Sequence, residues 1–342
     1  MATTASTRRL GRSGIAVSAI GLGGWAIGGP FTLDGRPDGW GDVDDAQSLR
    51  AIQAAVDYGV TLIDTADVYG AGHSERVVGR AIAGRRDRIV VATKFGYLYN
   101  EATRVVGGTD VSPAYVEKAV QRSLARLGTD YIDLYQIHVG TLDADALPPL
   151  AEALERLAEA GTIRAWGWST DDAAHVEGLL VYPHFAAVQQ DLNLFVGNGE
   201  LLALAERGDL ASLNRSPLAM GLLSGKFDRT ARLGPDDVRG AGHSWVRYFK
   251  NGQPEPHFLE QLAAVRDLLR TGGRNLAQGA LGWLLAQSPA TIPIPGFKTE
   301  RQARENARAL SFGPLPQDVV TRIAAVLEGF DRRMEDDADE VR

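Results

Sequence analysis

Eight short apolar runs, most of them followed by a stretch of helical period, constrain this chain more than any other feature. The runs are 18–21, 62–64, 89–93, 131–137, 163–169, 187–190, 211–216 and 291–293. They are too short for buried helices, and most lack the alternation of a half-exposed strand. Between them lie helical patterns at 44–58, 74–83, 112–127, 147–160, 171–180 and 256–271. Ser112-Pro113 offers an N-cap followed by proline at the first helical position. Asp44-Asp45 places negative charge at a helix start. Gly59, Gly84, Gly128 and Gly161 stand where helices should stop. Strands alternating with helices in this number predict an α/β fold, a (β/α)₈ TIM barrel. An open doubly wound sheet is the rival. It lacks its glycine fingerprint here, because Gly21-Leu22-Gly23-Gly24 runs straight into Trp25 with no helix opening behind it.

The segment 9–17 turns at Ser13-Gly14 and reads as a short hairpin, about residues 8–17, placed to plug the lower end of the barrel. Three connections, 28–43, 96–109 and 221–254, exceed ordinary loop lengths and all follow strands. They therefore fall on the face where barrel active sites form, as candidate lids. No linker or repeat interrupts the pattern, so residues 1–330 are expected as one domain and 331–342 as an acidic, mobile tail.

The polar residues at the strand ends carry the chemistry. Asp64 closes the second run, Tyr69 follows five residues later, Lys94 ends the third and His138 follows the fourth. A free phenol, with a pKa near 10, is a poor acid at neutral pH. An ammonium beside it is expected to lower that value. Asp64 would hold Lys94 charged, and His138 would orient a carbonyl oxygen. Any one of these residues is as well explained by packing or a structural ion pair. Four on three strand ends are not. A chain with no cysteine has no disulfide, thiol or Cys–metal chemistry, and the residues call for no metal. His-x-His and paired strand-end glutamates are absent, which disfavours a barrel hydrolase or isomerase.

Taken together, Asp64, Tyr69, Lys94 and His138 resemble the catalytic tetrad of the aldo-keto reductase superfamily, and Gly72-His73-Ser74-Glu75-Arg76-Val77-Val78-Gly79 is similar to that family's Gly-x-Ser-Glu-x-x-x-Gly stretch. The resemblance extends from the Arg9 hairpin to Asn306. It implies NADPH-dependent reduction of an aldehyde or ketone, with hydride leaving the nicotinamide C4 and Tyr69 as general acid. NADH is the less favoured cofactor. The resemblance also implies cofactor contacts. Gly24 and Trp25 follow the first strand. Ser169, Thr170 and Gln189 would hold the carboxamide, although the family usually has Asn where Thr170 stands. Arg215 takes a place where many members set an aromatic ring, and a guanidinium plane can stack there too. Ser216-Pro217-Leu218-Ala219-Met220, ending at Lys226, is similar to the pyrophosphate loop. Gly296, Phe297 and Lys298, then Gln302, Glu305 and Asn306, resemble the adenosine-phosphate end.

Trp25, Tyr97 and Trp245 are the expected substrate contacts, with Phe95, Tyr248 and Phe249 as further candidates for an aromatic pocket. The partner implied is a small carbonyl compound. A net charge of −7 without a basic stripe argues against nucleic acid. No apolar run approaches the roughly 20 residues a bilayer needs. The first nine residues have no apolar core after their charges, so a cytoplasmic location is expected. A monomer or a small homo-oligomer both fit. A cofactor-binding subunit with little turnover, like the potassium-channel beta subunits that share this fold and tetrad, is the alternative reading.

Overall fold

The computed structural model describes the backbone of residues 6–340 and side chains of residues 6–330. Its centre is an eight-stranded parallel sheet of Leu22–Gly23, Leu62–Asp64, Val90–Phe95, Ile132–Ile137, Ile163–Ser169, Phe185–Asp191, Ala211–Arg215 and Thr291–Pro293, paired in chain order. The first and last strands close on each other. Gly21 N donates to Pro293 O at 2.9 Å and Gly23 N to Pro295 O at 3.0 Å.

The first barrel strand begins one residue past the expected run 18–21, a correction with a steric reason. Ala16–Ser18 is spent on an antiparallel pairing with Thr7–Arg9, the N-terminal hairpin. The barrel strand proper starts at the glycines. A Cβ on Gly23 would stand 2.7 Å from Ile294 O, so the seam closes only where side chains are missing. The hairpin seals the lower end. Leu10 and Val17 are buried against Leu62, Val90, Leu134, Leu213 and Ile292, the inward residues of the barrel.

The helices cover the outside with the caps their sequences specify. Asp44 accepts from Ala46 N at 2.9 Å to open Asp45–Asp57, and Ser112 accepts from Tyr115 N to open Pro113–Leu127. Gly59, Gly84, Gly128 and Gly161 all take positive φ at helix ends. Leu276–Gln287 has no polar face. It is packed between the barrel and the added helix Pro256–Leu269, and a helix apolar on nearly every side has no amphipathic signature to read. The last helix, Gln317–Glu340, runs through residue 331, so the expected start of the tail falls inside a helix. The mobility expected of 331–342 concerns residues whose side chains lie outside the described part. Among the described residues, no helix is long and apolar enough to cross a membrane.

The long loops fold onto one another. Thr32–Leu33 and Arg36–Pro37 in the first pair with Tyr97–Asn100 and Val105–Thr109 in the second, giving a four-stranded sheet over the barrel mouth. Trp40 in the first loop bridges Asp237 in the third, and Val238 N donates to Gly39 O at 2.9 Å.

Candidate active site

The carboxyl ends of the strands open into a cavity of about 550 Å³. At its floor, Lys94 Nζ donates to Asp64 Oδ1 at 2.6 Å, to Thr65 O at 2.9 Å and to Tyr69 Oη at 3.3 Å. Those three bonds use every hydrogen of the ammonium. Lys94 is 0% exposed and Asp64 is 2% exposed. Asp64 Oδ2 accepts from Gln136 and Gln189, at 3.1 and 2.8 Å. A buried ion pair needs such added bonds to offset its desolvation. Burial alone would lower the Lys94 ammonium. Asp64 outweighs it and holds the ammonium above the usual lysine value.

Tyr69 reaches this pair from the turn after the second strand. Gly70 follows at φ +62°, packed so closely on the Gly28 carbonyl that no side chain fits. The stretch Gly72–Gly79 braces the arrangement from behind. Ser74 Oγ donates to Gly24 O at 2.9 Å, and fully buried Glu75 accepts from Thr93 Oγ1 and from Arg126 Nε, both at 2.6 Å. A Cβ on Gly79 would meet Leu127 O at 2.5 Å, so that helix packs directly on its neighbour.

One electrostatic expectation is corrected. Burial pushes the Tyr69 phenol above its ordinary value, and Lys94 only partly offsets this. The reason is the complete enclosure of the phenol; Asp64 then gives back part of what Lys94 contributes. His138 lies edge-on to Tyr69 and Tyr97, with centroids at 5.6 and 5.2 Å. Burial, then Lys94 and Arg215, hold its imidazole well below the usual histidine value, so it is neutral at pH 7. Its Nδ1 has no hydrogen-bond partner among the described residues.

The walls divide by chemistry. Ser169, Thr170, Gln189 and Arg215 line one side. Ser169 pairs in register with Gln189, and Arg215 with Asp191 on the next strand. Thr170 Oγ1 is engaged locally, donating to Gly140 O at 2.6 Å. Arg215 pairs with Asp171 at 2.5 Å. Trp25, Tyr97 and Trp245 line the other side with Phe31, Leu33 and Val106. Phe95, Tyr248 and Phe249 do not line it. Phe95 stacks on Tyr135 and is fully buried, and the other two belong to the core under the third long loop.

Past Arg215 the backbone enters the left-handed region at Ser216, Ala219 and Met220, three non-glycine residues within five positions. Such strain collects at functional sites. Pro217 and Leu218 lie within this turn. Beyond it, Lys226 is exposed, without a carboxylate partner among the described residues, and partial desolvation together with Arg239, Lys298 and Arg301 lowers its ammonium. Asp237 is held by Arg239 and Glu305 by Arg301, which leaves Lys226 and Lys298 outside any ion pair among the described residues, an arrangement that suits an anion. Lys298 Nζ meanwhile donates to Trp40 O at 2.7 Å and Asp42 O at 2.9 Å, tying the first long loop to the eighth strand. Gln302 is occupied in a capping box with Thr299, and Glu305 pairs with Arg301. Gly296 bridges Gly23, Phe297 is buried in the core, and Asn306 donates to Gly296 O at 3.3 Å. Groups for a ring amide, a strained turn and a cation cluster thus follow the rim from the fifth strand to the eighth, which fits an elongated phosphate-bearing cofactor.

Two residues escaped the sequence reading. Gln136 stands two positions before His138, so strand alternation puts both on the inner face. Asp38, from the first long loop, lines the cavity and is 8% exposed. No pattern in its Pro- and Gly-rich surroundings marks it.

Fold and site together define a (β/α)₈ enzyme whose polar groups gather at the carboxyl end of the barrel. Residues 19–328 match the model of the aldo/keto reductase family. The chain is 34% identical over 307 residues to the aldo-keto reductase YhdN of Bacillus subtilis, covering 85% of this chain and 84% of that one. It is 31% identical to the NADH-specific methylglyoxal reductase of Escherichia coli, over 94% and 98% of the two chains. Its fold superposes on an aldo-keto reductase from Klebsiella pneumoniae in complex with NADPH, with a TM-score of 0.67, 27% identity and 95% of each chain covered. The chain belongs to the aldo/keto reductase family, a family of oxidoreductases.

Proposed function

We propose that this protein reduces aldehydes or ketones to alcohols with NADPH, using Tyr69 as the general acid. One observation carries the reading: Tyr69 Oη lies 3.3 Å from a buried Lys94 ammonium that is itself 2.6 Å from Asp64, at the floor of the cavity. NADPH, when bound, supplies the hydride. The residues of the chain do the rest. His138, neutral, donates to the carbonyl oxygen and aims it at Tyr69. The phenol, kept protonated by burial, gives its proton to that oxygen as the alkoxide develops, and the phenolate left behind rests against Lys94. Asp64 keeps Lys94 charged and in place.

The preference for NADPH rests on Lys226 and Lys298, which form no ion pair among the described residues, with Arg239 and Arg301 near them. The NADH-specific relative makes the preference a point to measure. Consumption of NADPH is followed by absorbance with 4-nitrobenzaldehyde, with NADH in parallel. Turnover with NADPH that vanishes in Tyr69→Phe is the expected result. Full activity in that variant overturns the assignment of the acid.

A further inference from the structure

One polar group in the cavity wall has no use in the reaction so far described. Asp38 makes no side-chain hydrogen bond to the described residues, and its Oδ1 is buried without a partner. His243 Nε2 stands 3.6 Å from that oxygen, beyond hydrogen-bond reach, and lies 2.8 Å from Pro37 O. The position is fixed from the backbone. Asp38 N donates to Phe31 O at 2.9 Å, and Asp38 O accepts from Trp25 Nε1 at 3.0 Å. A buried carboxyl without a donor costs the fold free energy. A loop that holds one rigidly against the cavity keeps it for something that arrives. Asp38 lines the same cavity as Tyr69, Tyr97 and His138.

We infer that Asp38 accepts a hydrogen bond from a hydroxyl of the substrate, and that the carbonyl compounds preferred by this enzyme carry a hydroxyl next to the carbonyl. The proposal rests on the reductase reading above. A hydroxyl fits better than an ammonium, because Lys94 and Arg215 already set a positive field at the His138 floor. The aromatic wall of Trp25, Tyr97 and Trp245 packs against the carbon chain. The orphaned carboxyl then selects for the hydroxyl. Sites that hydrogen-bond a substrate hydroxyl discriminate strongly against analogues lacking it, because a buried polar group is left unpaired.

Glycolaldehyde and propanal test this, having the same number of heavy atoms and differing in one hydroxyl. For the unsubstituted enzyme, kcat/KM is expected to favour glycolaldehyde at least about tenfold. Asp38→Asn should cut that ratio about tenfold, chiefly through KM for glycolaldehyde, and Asp38→Leu should erase it. An unchanged ratio in both variants, or no preference in the parent, overturns the proposal. So does faster reduction of betaine aldehyde, a cation without a donor. Parent turnover of propanal reads separately on the reductase assignment: if propanal and 4-nitrobenzaldehyde are both inert, that assignment fails, not the role of Asp38 alone. Thermal melts of the Asn variant show that it folds.

Discussion

The Lys94 ammonium lies 2.6 Å from Asp64 Oδ1, and neither side chain reaches solvent. Each charge is tolerated only because the other is there. Removing one partner strands a buried ion, which costs about 3–5 kcal/mol. Lys94→Met should therefore lower the melting temperature markedly as well as abolish turnover. Asp64→Asn/Lys94→Met together should be more stable than Lys94→Met alone. A Lys94→Met protein that melts with the parent would show that the pair is not coupled.

Tyr69→Phe removes a hydroxyl whose one protein hydrogen bond is the 3.3 Å contact with Lys94. Reduction is expected to fall by about 10²–10⁴-fold, the span of general acid catalysis. The fold should hardly change, so the melting curve is the control. Because burial raises the phenol above its ordinary value, the acid form persists above neutrality. The turnover number for reduction should stay level from pH 7 to about 9. A decline already complete by pH 8 would mean that a lower pKa governs the step.

Asp38 makes a separate prediction about stability. Burial, then the charge of Asp34, raises its carboxyl from 3.8 to about 7, while His243, Tyr69 and Tyr97 are its other titratable neighbours. Between the unfolded and folded values, the native state binds more protons than the unfolded state. Stability therefore falls as pH rises through that window, by at most about 1.4 kcal/mol per pH unit from this group. Asp38→Asn should flatten the slope, so its advantage over the parent grows from pH 5 to pH 7. Denaturant melts at four pH values measure this, and parallel slopes would refute it.

Among the described residues Lys226 forms no ion pair, and Arg239, Lys298 and Arg301 lie near it with Asp237. Lys226→Met should weaken NADPH binding about tenfold or more in a fluorescence-quenching titration, and added salt should weaken the parent's binding more than the variant's. Equal affinities in parent and variant would place the phosphates elsewhere.

Gly11 holds φ at +51° where a Cβ would stand 2.7 Å from Ala211 N. Gly11→Ala should unseat the plug and cost more than about 2 kcal/mol, since strain and overlap add. Denaturant unfolding decides this. A loss below half that value would show that the hairpin rides loosely on the barrel.

The alternation of apolar runs with helix caps made the barrel legible, because each strand and each cap is a local matter. Asp64, Lys94 and His138 were legible because strand ends are countable. Tertiary events were not. Whether burial or Lys94 governs the Tyr69 phenol depends on how completely the barrel mouth encloses it, which no spacing records. The capping box that Gln302 forms with Thr299 was equally unread. Asp38 acquires its place only when the first long loop closes over Trp25.

The two lids over the mouth are halves of one sheet: Thr32 pairs with Val105 and Leu33 with Val106 at its centre, across some seventy positions of chain. Substrate range in this enzyme is therefore not modular. Grafting residues 28–43 from another reductase without 96–109 sets a foreign strand against Val105 and Val106 at the centre of that sheet. A change of specificity, in the laboratory or in descent, has to move the two loops as a matched set.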